Sequence, residues 1–479
     1  MPNAQKPIHM PPSLFQSLLC ISGILCLVFL GLFLFKTSLH SIILISLFWV
    51  ILHALYLDND ETRLKKGLIF AIQKSAPVFL YFLLIGAIIA AFTISGAIPT
   101  LIYYGLYFIS PQNFLPIGMI LCSIMSLAIG TCWGTIGTMG IALMGVASIL
   151  HIPPPMAAGM IVSGAYFGDK FSPISDTTLL SALATDTNLY THIKGMTYSI
   201  LPAYLISLAI FWFIGNHYVI YNPAYLQEIT SIQKIIHDHV HIGLMTLLPM
   251  IVMLALSLQK KPAELSMPIS ILCALCVAIL IQKVPGDEAL NSLYSGPHFA
   301  PTGSVILDTA LNRGGMQSML WSMSLALLIL TMGGILDSYQ FISTLFASMI
   351  SRLKHPISLV LATLSIATTS NVLMGEAYLT IILTSKLFKN AYQKIGLKNC
   401  VLSKAIEEGS VFSTPLIPWT TSGAFISATL GVHTFDYLFW SVFNWIAPVI
   451  FLGLVAFNFF GIKMYIKASE SVELTNSSL

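Results

Sequence analysis

The chain has 479 residues, of which 56% are hydrophobic and only 9% are charged, and its formal net charge is +3. Soluble domains carry about 25% charged residues, so this composition excludes an ordinary soluble protein. A mean hydropathy of +0.85 indicates an integral membrane protein instead. The small net charge gives no indication of a nucleic-acid partner.

Apolar runs of span length follow one another along the chain. A membrane-crossing helix needs about 17–25 mostly apolar residues. Such runs occupy 14–35, 38–57, 76–95, 114–130, 134–150, 195–215, 240–258, 267–283, 318–336, 357–374 and 440–462. Shorter or interrupted runs occupy 156–168, 339–351, 378–388 and 416–432. The expected fold class is an all-α integral membrane protein with about 11–13 transmembrane segments, two or more of them broken or re-entrant.

The order of these segments predicts five regions. They are a two-helix preface (1–76), a first repeat (77–215), linker helices with a polar connecting segment (216–316), a second repeat (317–462) and a C-terminal tail (463–479). Lysine and arginine cluster in short loops, and the positive-inside tendency places these loops in the cytoplasm. The clusters lie at 63–66, 260–261, 352–354, 386–404 and, in the tail, at Lys463 and Lys467.

One polar phrase occurs twice at membrane depth. The string FSPISDTT at 171–178 returns, two residues longer, as FSTPLIPWTT at 412–421. Each copy interrupts an apolar run with proline and hydroxyl groups. A bilayer tolerates irregular backbone only where it is buried in protein or lines a wet cavity. Two broken helices at corresponding places in two halves are typical of the ion and substrate site of a transporter.

The two halves also match in order. Each has a glycine-interrupted span, at 84–88 and 331–335, followed by a polar break, at 130–138 and 368–376. The polar phrase then follows Gly130 and Asn371 by 41 positions each. This agreement predicts two structural repeats. Inversion of the second repeat, the arrangement expected here, requires an odd number of crossings between equivalent points.

The breaks carry groups that suit a hard cation. Unwound carbonyls and the hydroxyls of serine and threonine are hard oxygen ligands, which sodium prefers by analogy with other hard cations. A charged carboxyl at a helix centre costs at least ~2.5–3.5 kcal/mol to insert, so an unpaired one tends to take up a proton. A nearby cation favours the ionised carboxylate instead. A carboxylate in such a break therefore suits the exchange of sodium for a proton.

Asp176, which hydroxyl residues flank on both sides, is the first candidate for this carboxylate; a helix cap or a solvated loop is the alternative. Glu376 is the second candidate, and Asp169 is either a ligand or the ion-pair partner of Lys170. The predicted ion- or substrate-binding set consists of Asp176, Thr177, Ser175, Thr178, Asp169, Thr131, Thr135, Ser370, Asn371, Glu376, Thr420 and Thr421.

Other polar residues have structural interpretations. The glycine- and threonine-rich run 130–138 also fits tight packing, with hydroxyls bonded back to helix carbonyls. One of Glu407 and Glu408 is expected to pair with Lys404. The histidine-rich run 237–241 is more typical of a solvated interface than of a metal site, and His192 is interpreted as a loop residue.

Several strings resemble the NhaC family of sodium/proton antiporters. They are GTCWGT at 130–135, SGAYFGDKFSPISDTT at 163–178, THIK at 191–194, LNRGG at 311–315 and TPLIPW at 414–419. The resemblance implies a two-repeat fold with broken helices that exchanges sodium for protons across the cytoplasmic (inner) membrane. The alternative is a relative that exchanges sodium-coupled carboxylates such as malate against lactate.

The resemblance also implies the partners: the sodium ion, the proton, the lipid bilayer and, under the alternative, a small carboxylate. No cofactor, no nucleic acid and no metal beyond transported sodium are expected, and a homodimer is left open. Neither a Gly-x-Ser-x-Gly nor a His-Glu-x-x-His string occurs, which disfavours an enzyme. A passive channel is harder to exclude, because polar breaks also line pores.

Two departures from the family pattern lie near the predicted site. Relatives have Gly-Asp-Gln-Tyr where this chain has glutamate and alanine, at Glu376 and Ala377. Relatives often have Pro-Trp-Asn where this chain ends the string with Thr420. These departures leave the choice between sodium, lithium and an organic anion open.

Overall fold

The computed structural model describes residues 11–457 except 59–60, 174, 219–223, 260, 303, 305–306 and 309–310. Regular secondary structure in these residues is helical, without a β-strand. The predicted C-terminal tail, with Lys463 and Lys467, lies outside the described residues, as does Lys260. The helices are α1 Leu14–Phe29, α2 Leu39–Leu57, α3 Glu61–Ile94, α4 Ala97–Phe108, α5 Phe114–Ile129, α6 Cys132–Thr135, α7 Ile141–Ile149, α8 Pro154–Phe171, α9 Asp176–Ala184, α10 Leu189–Tyr218, α11 Ala224–His239, α12 Leu248–Leu258, α13 Ala263–Leu280, α14 Gly286–Ser295, α15 Met316–Ser338, α16 Phe341–Ile350, α17 Pro356–Met374, α18 Ala377–Ile395, α19 Asn399–Ser410, α20 Thr421–Leu430, α21 Thr434–Tyr437 and α22 Val442–Ala456.

Eight helical segments of the described chain are long and apolar enough to cross a membrane. Two further pairs pass the same test but bend, by 82° between Ile229–His239 and Leu244–Leu258 and by 53° between Thr434–Trp440 and Val442–Ala456. The prediction of an all-α, multi-pass membrane fold with broken helices is therefore confirmed. Three shorter apolar helices accompany these segments: Ala97–Phe108, Glu264–Leu280 and Phe341–Ile350.

Small residues bring α8 close to α5 and so fix the end of α8. A Cβ added to Gly164 would lie 2.5 Å from the carbonyl oxygen of Met119, and one added to Gly168 would lie 2.2 Å from that of Ser123. The hydroxyl of Ser126 donates to the Ala165 carbonyl at 2.6 Å across the same contact. Glycine is required where backbones approach this closely. The charged residues that follow Gly168 are thereby held at a fixed depth.

The two polar breaks have the same local structure. α5 ends at Gly130 with φ 78°, and the next residue, Thr131, is extended before α6 begins. α17 ends at Gly375 with φ 68°, and the next residue, Glu376, is extended before α18 begins. Only glycine adopts this left-handed conformation readily, so each break is set by its glycine.

The observed breaks align the two halves of the chain differently from the sequence prediction, because Gly375 rather than Asn371 corresponds to Gly130. The second break, at Gly375 and Glu376, lies within the predicted range 368–376. Asn371 itself lies inside α17, four residues before that glycine, and does not mark the break. Ser175 follows Gly130 by 45 positions and occupies the N-cap position of α9 without a side-chain capping hydrogen bond. Thr420 follows Gly375 by 45 positions and caps α20 with its side chain. The same pattern of break and capped helix in both halves supports the two-repeat fold class. The inverted orientation and the five domain boundaries stay predictions.

Gly375→Ala is expected to destabilise the protein more than Gly396→Ala. Both glycines are left-handed, with φ 68° and 74°, which costs an alanine roughly 1–2 kcal/mol. A Cβ on Gly375 would lie 2.2 Å from Ile329 Cγ1, whereas nothing lies within 4 Å of one on Gly396. Overpacking adds about 1–3 kcal/mol. Thermal unfolding in detergent measures the difference, and equal midpoints for the two variants would contradict the tight packing of this break.

Candidate functional site

Both breaks and both polar phrases contribute to one cavity of about 410 Å³. Its lining carries four carboxylates but one lysine, Lys261, among the described residues. The polar and aromatic lining residues that bear on its chemistry are Tyr81, Thr131, Trp133, Tyr166, Asp169, Asp176, Thr177, Glu264, Glu376, Tyr378, Thr414 and Ser422. An acidic lining of this kind attracts cations.

Asp176 is the first residue of α9 and faces the cavity. Its Oδ1 accepts the backbone N–H of Thr177 at 2.7 Å, and its Oδ2 accepts the hydroxyl of Tyr378. A helix N-terminus is a favourable position for an acidic side chain. Tyr378 belongs to α18, so this hydrogen bond joins the two halves of the chain across the cavity.

Glu376 lies at the second break and is buried. Its Oε2 accepts the hydroxyl of Thr421 at 2.5 Å, and its Oε1 accepts the backbone N–H of Tyr378 at 3.4 Å. The backbone N–H of Thr421 also donates to the Gly375 carbonyl at 2.9 Å. The second break is therefore bound to the start of α20, next to the cavity.

Lys170 forms a buried ion-pair cluster behind the cavity wall. Its Nζ lies 2.8 Å from Asp169 Oδ2 and 2.9 Å from Glu407 Oε1. It also donates to Thr177 Oγ1 at 2.6 Å. The side chains of Lys170 and Glu407 are fully buried, and that of Asp169 is 4% exposed. A buried charge needs such partners, because its desolvation is costly. Asp169 is thus both the partner of Lys170 and a lining residue of the cavity.

The expected pairing of Lys404 with Glu407 or Glu408 is wrong. No carboxylate of the described residues lies within 4 Å of Lys404, whose Nζ donates to the Gly195 carbonyl at 3.2 Å. Glu408 Oε1 accepts the hydroxyl of Ser199 at 2.5 Å. The sequence placed these residues at helical pairing distance. In the structure Lys404 and Glu408 instead contact residues of α10, Gly195 and Ser199.

Ser175 and Thr178 lie just behind the lining and reach the ion-pair cluster. Thr178 Oγ1 donates to Glu407 Oε1 at 3.2 Å and lies 3.2 Å from Ser175 Oγ. Ser175 Oγ is in turn 3.3 Å from Thr177 Oγ1. A row of hydroxyls therefore connects the cavity wall with the buried carboxylate.

Seven of the twelve predicted site residues are not in the lining of the cavity. Ser175, Thr178 and Thr421 contact groups next to it, and the other four have structural contacts elsewhere. Thr135 bonds back to the Thr131 carbonyl at 3.2 Å, as the packing interpretation of that run expects. Asn371 donates to the Ser410 carbonyl and to the Ser413 hydroxyl. Thr420 caps α20 by accepting the Gly423 N–H at 3.0 Å. Ser370 is buried within α17. We therefore do not propose Thr135, Asn371, Thr420 or Ser370 as direct ligands of a bound ion.

Sequence reasoning missed the environment of His192. This residue lies in the first turn of α10 rather than in a loop, and it is fully buried. Its Nδ1 lies 2.8 Å from Ser403 Oγ, and its Nε2 lies 3.6 Å from Glu407 Oε2. These partners are more than 200 positions away, so no local pattern could identify them. In the run 237–241, His237 and Asp238 are exposed, and no metal-binding group of three residues occurs in the part of the chain that the structure describes.

Comparison with known proteins gives consistent relatives. A sequence model described as the Na+/H+ antiporter family matches residues 7–185 and 164–459. The Na(+)/H(+) antiporter NhaC of Alkalihalophilus pseudofirmus is 31% identical over 446 residues, 93% of this chain and 95% of the relative. The malate-2H(+)/Na(+)-lactate antiporter of Bacillus subtilis is 32% identical over 441 residues, 91% of this chain and 92% of the relative. The solved structure of Neisseria gonorrhoeae MtrF, from a class of antimetabolite efflux pumps, covers 90% of this chain and 97% of its own at 13% identity, with a TM-score of 0.42.

Lys170→Met is expected to destabilise the protein strongly. The change leaves Asp169 and Glu407 as buried carboxylates without a cation, which costs about 3–5 kcal/mol. The matched control is Lys65→Met, because Lys65 makes an exposed pair with Glu61 at 3.2 Å, worth about 0–1 kcal/mol. Folded yield and the unfolding midpoint in detergent measure both changes. If the Lys170→Met protein is as stable as the control, the ion-pair cluster does not stabilise the fold and the prediction is wrong.

Proposed function

Because the family model and both antiporter relatives match most of its length, the chain belongs to the Na+/H+ antiporter family, and we propose that it exchanges sodium for protons across the cytoplasmic membrane. It is a multi-pass membrane transporter. Under the proposal it is a secondary active antiporter that moves sodium outward as protons move inward. No enzymatic step is part of this exchange.

One observation carries the proposal: carboxylates from both halves of the chain meet hydroxyls in a single cavity. Asp176 and Thr177 come from the first phrase, Glu376 from the second break, and Thr131 from the first break. Carboxylate and hydroxyl oxygens are the ligands that hard cations prefer. Both breaks are therefore available to the same ion.

Asp176 is the proposed primary sodium ligand. Its carboxylate reaches the cavity, whereas Asp169 and Glu407 are already paired with Lys170. Sodium beside Asp176 stabilises the ionised carboxylate and so expels a proton; a proton neutralises the carboxylate and so expels sodium. The two substrates compete for one negative charge, which is the condition for their exchange.

The lining also favours access from the cytoplasm in this conformation. The cavity reaches Lys261 and Pro262 between α12 and α13, a loop that the positive-inside tendency assigns to the cytoplasm. Glu264, where α13 begins, accepts the hydroxyl of Tyr81 at 2.7 Å at the same end of the cavity. Cytoplasmic sodium would enter past this pair of residues.

A carboxylate exchanger is the second candidate, and the size of the cavity favours it. A volume of about 410 Å³ exceeds the needs of a sodium ion and falls among small-molecule sites of about 300–1,000 Å³. The Bacillus subtilis relative exchanges malate and lactate, by its name. The four lining carboxylates repel an organic anion, however, so sodium/proton exchange is the better-supported function.

Sodium alone is expected to drive proton movement in liposomes. The purified protein is reconstituted with an acidic interior, and sodium, lithium, potassium, malate or lactate is added outside in turn. Proton efflux after sodium addition, reported by an internal pH dye, supports the proposal. A response that appears only when a carboxylate is present would support the second candidate instead, and protein-free liposomes provide the background.

Asp176→Asn is expected to reduce sodium-driven proton efflux at least about tenfold, which corresponds to ~1.4 kcal/mol. The amide still accepts a hydrogen bond from Tyr378 but carries no charge for sodium and no titratable proton. Asp287→Asn is the matched control, because Asp287 is exposed in the first turn of α14. Wild-type rates in a folded Asp176→Asn protein would exclude Asp176 from the exchange.

A further inference from the structure

We propose that the protein holds a proton between His192 and Glu407, outside the cavity, and that this proton and cavity-bound sodium exclude each other through Lys170. The proposal rests on the proposed function and adds a second proton site to it. Neither the predicted site residues nor the lining of the cavity include His192.

Hydrogen bonding assigns the proton positions of the His192 ring. The hydroxyl of Ser403 lies 3.1 Å from the Cys400 carbonyl and donates to it. The Ser403 oxygen then accepts from His192 Nδ1 at 2.8 Å, so Nδ1 carries hydrogen. In a neutral imidazole one nitrogen donates and the other accepts. Nε2 therefore presents a lone pair.

That lone pair faces a carboxylate oxygen. His192 Nε2 and Glu407 Oε2 lie 3.6 Å apart, and neither atom has a hydrogen-bond partner within 3.5 Å among the described residues. The hydroxyl of Ser181, on α9, lies near the same carboxylate. Both side chains are fully buried. Two buried acceptors that face each other without a donor between them are unfavourable. One proton on Nε2 gives the ring a positive charge and converts the contact between two acceptors into an ion pair.

The charges of the cluster require the same proton. Lys170 contacts Asp169 and Glu407, so two carboxylates share one ammonium group and one negative charge remains. Protonated His192 neutralises this charge from one side. A sodium ion in the cavity beside Asp169 neutralises it from the other. Both cations draw on the one negative charge that this cluster leaves unpaired, so each weakens the binding of the other.

Lys170 transmits this competition. Its Nζ contacts Asp169 on the cavity wall, Thr177 on the cavity wall, and Glu407 behind it. When sodium binds to Asp176 and so comes close to Asp169 in the same cavity lining, the ammonium group of Lys170 is drawn towards Glu407. Glu407 then needs no second cation, and the proton leaves His192. Loss of sodium returns Lys170 to Asp169 and restores the proton.

The remaining charged groups near His192 have partners or point away. Lys404 and Glu408 of α19 contact Gly195 and Ser199 respectively, and Lys194 of α10 itself is exposed. On α9 the charged residue is Asp176, which faces the cavity. The sequences of α5 and α22, which also pack against α10, contain no charged residue. Of the described carboxylates, only that of Glu407 lies within 4 Å of the His192 ring.

The test compares His192→Gln with the control His355→Gln, because His355 is exposed at the start of α17. The KM for sodium is measured in proteoliposomes as sodium/sodium exchange between pH 5.5 and 9, a range of about 3.5 units around the titration of histidine. In wild type, log KM rises as pH falls, because protons compete with sodium. Loss of one competing proton makes the slope of log KM against pH shallower by about one unit.

His192→Gln should therefore keep its sodium affinity at alkaline pH and lose part of the acid inhibition. A folded His192→Gln protein whose pH slope equals that of wild type and of His355→Gln overturns the inference while leaving the proposed function intact. Absence of sodium-driven proton movement in wild type defeats the proposed function itself.

A measurement on the wild-type protein covers the case in which the variant does not fold. Infrared difference spectra of protein labelled with 13C-histidine are recorded before and after sodium addition. Loss of an imidazolium band on sodium binding is the expected result. Spectra without any histidine change on sodium binding overturn the proposal.

Discussion

A buried ammonium group between two carboxylates is the interaction on which the site depends. Lys170 comes from α8, its partner Glu407 from α19, and the hydroxyl of Thr177 from α9. Neither Lys170 nor Glu407 can leave the contact without exposing an unpaired charge to a low-dielectric interior. The three helices are therefore fixed relative to one another, and the cluster retains one uncompensated negative charge. That charge makes the neighbouring cavity attractive to a cation.

The two halves supply complementary groups at equivalent places. By the register that Gly130 and Gly375 define, Thr131 corresponds to Glu376 and Asp176 corresponds to Thr421. Each half thus has one carboxylate and one threonine, but at exchanged positions. In the second half the pair is bonded, because Thr421 donates to Glu376. In the first half Asp176 bonds to Tyr378 instead, which leaves Thr131 free to face the cavity.

Part of this site could be predicted from residue types that stand close together in the sequence. Glycine, proline and hydroxyls within apolar runs identified the breaks, and Asp169, Asp176, Thr177, Thr131 and Glu376 all line the cavity. Partner choice between distant helices was not predictable. Glu407 bonds to Lys170 rather than to its own neighbour on α19, and His192 is buried against the same helix.

Contacts between distant helices also explain why Asn371 does not mark the second break. A polar residue among apolar ones signals either an unwound segment or a contact with another helix, and sequence alone does not separate the two. Here the amide of Asn371 bonds to Ser410 and Ser413. The left-handed backbone of Gly375, four residues later, ends the helix.

The side chain of Glu376 is one methylene longer than that of an aspartate, and this length lets it contact α20. The longer arm extends the carboxylate by about 1.5 Å from the break, and its Oε2 contacts Thr421 at the start of α20 at 2.5 Å. The backbone of Thr421 is already bonded to Gly375. A change in the ionisation of Glu376 therefore acts directly on the contact between the break and α20.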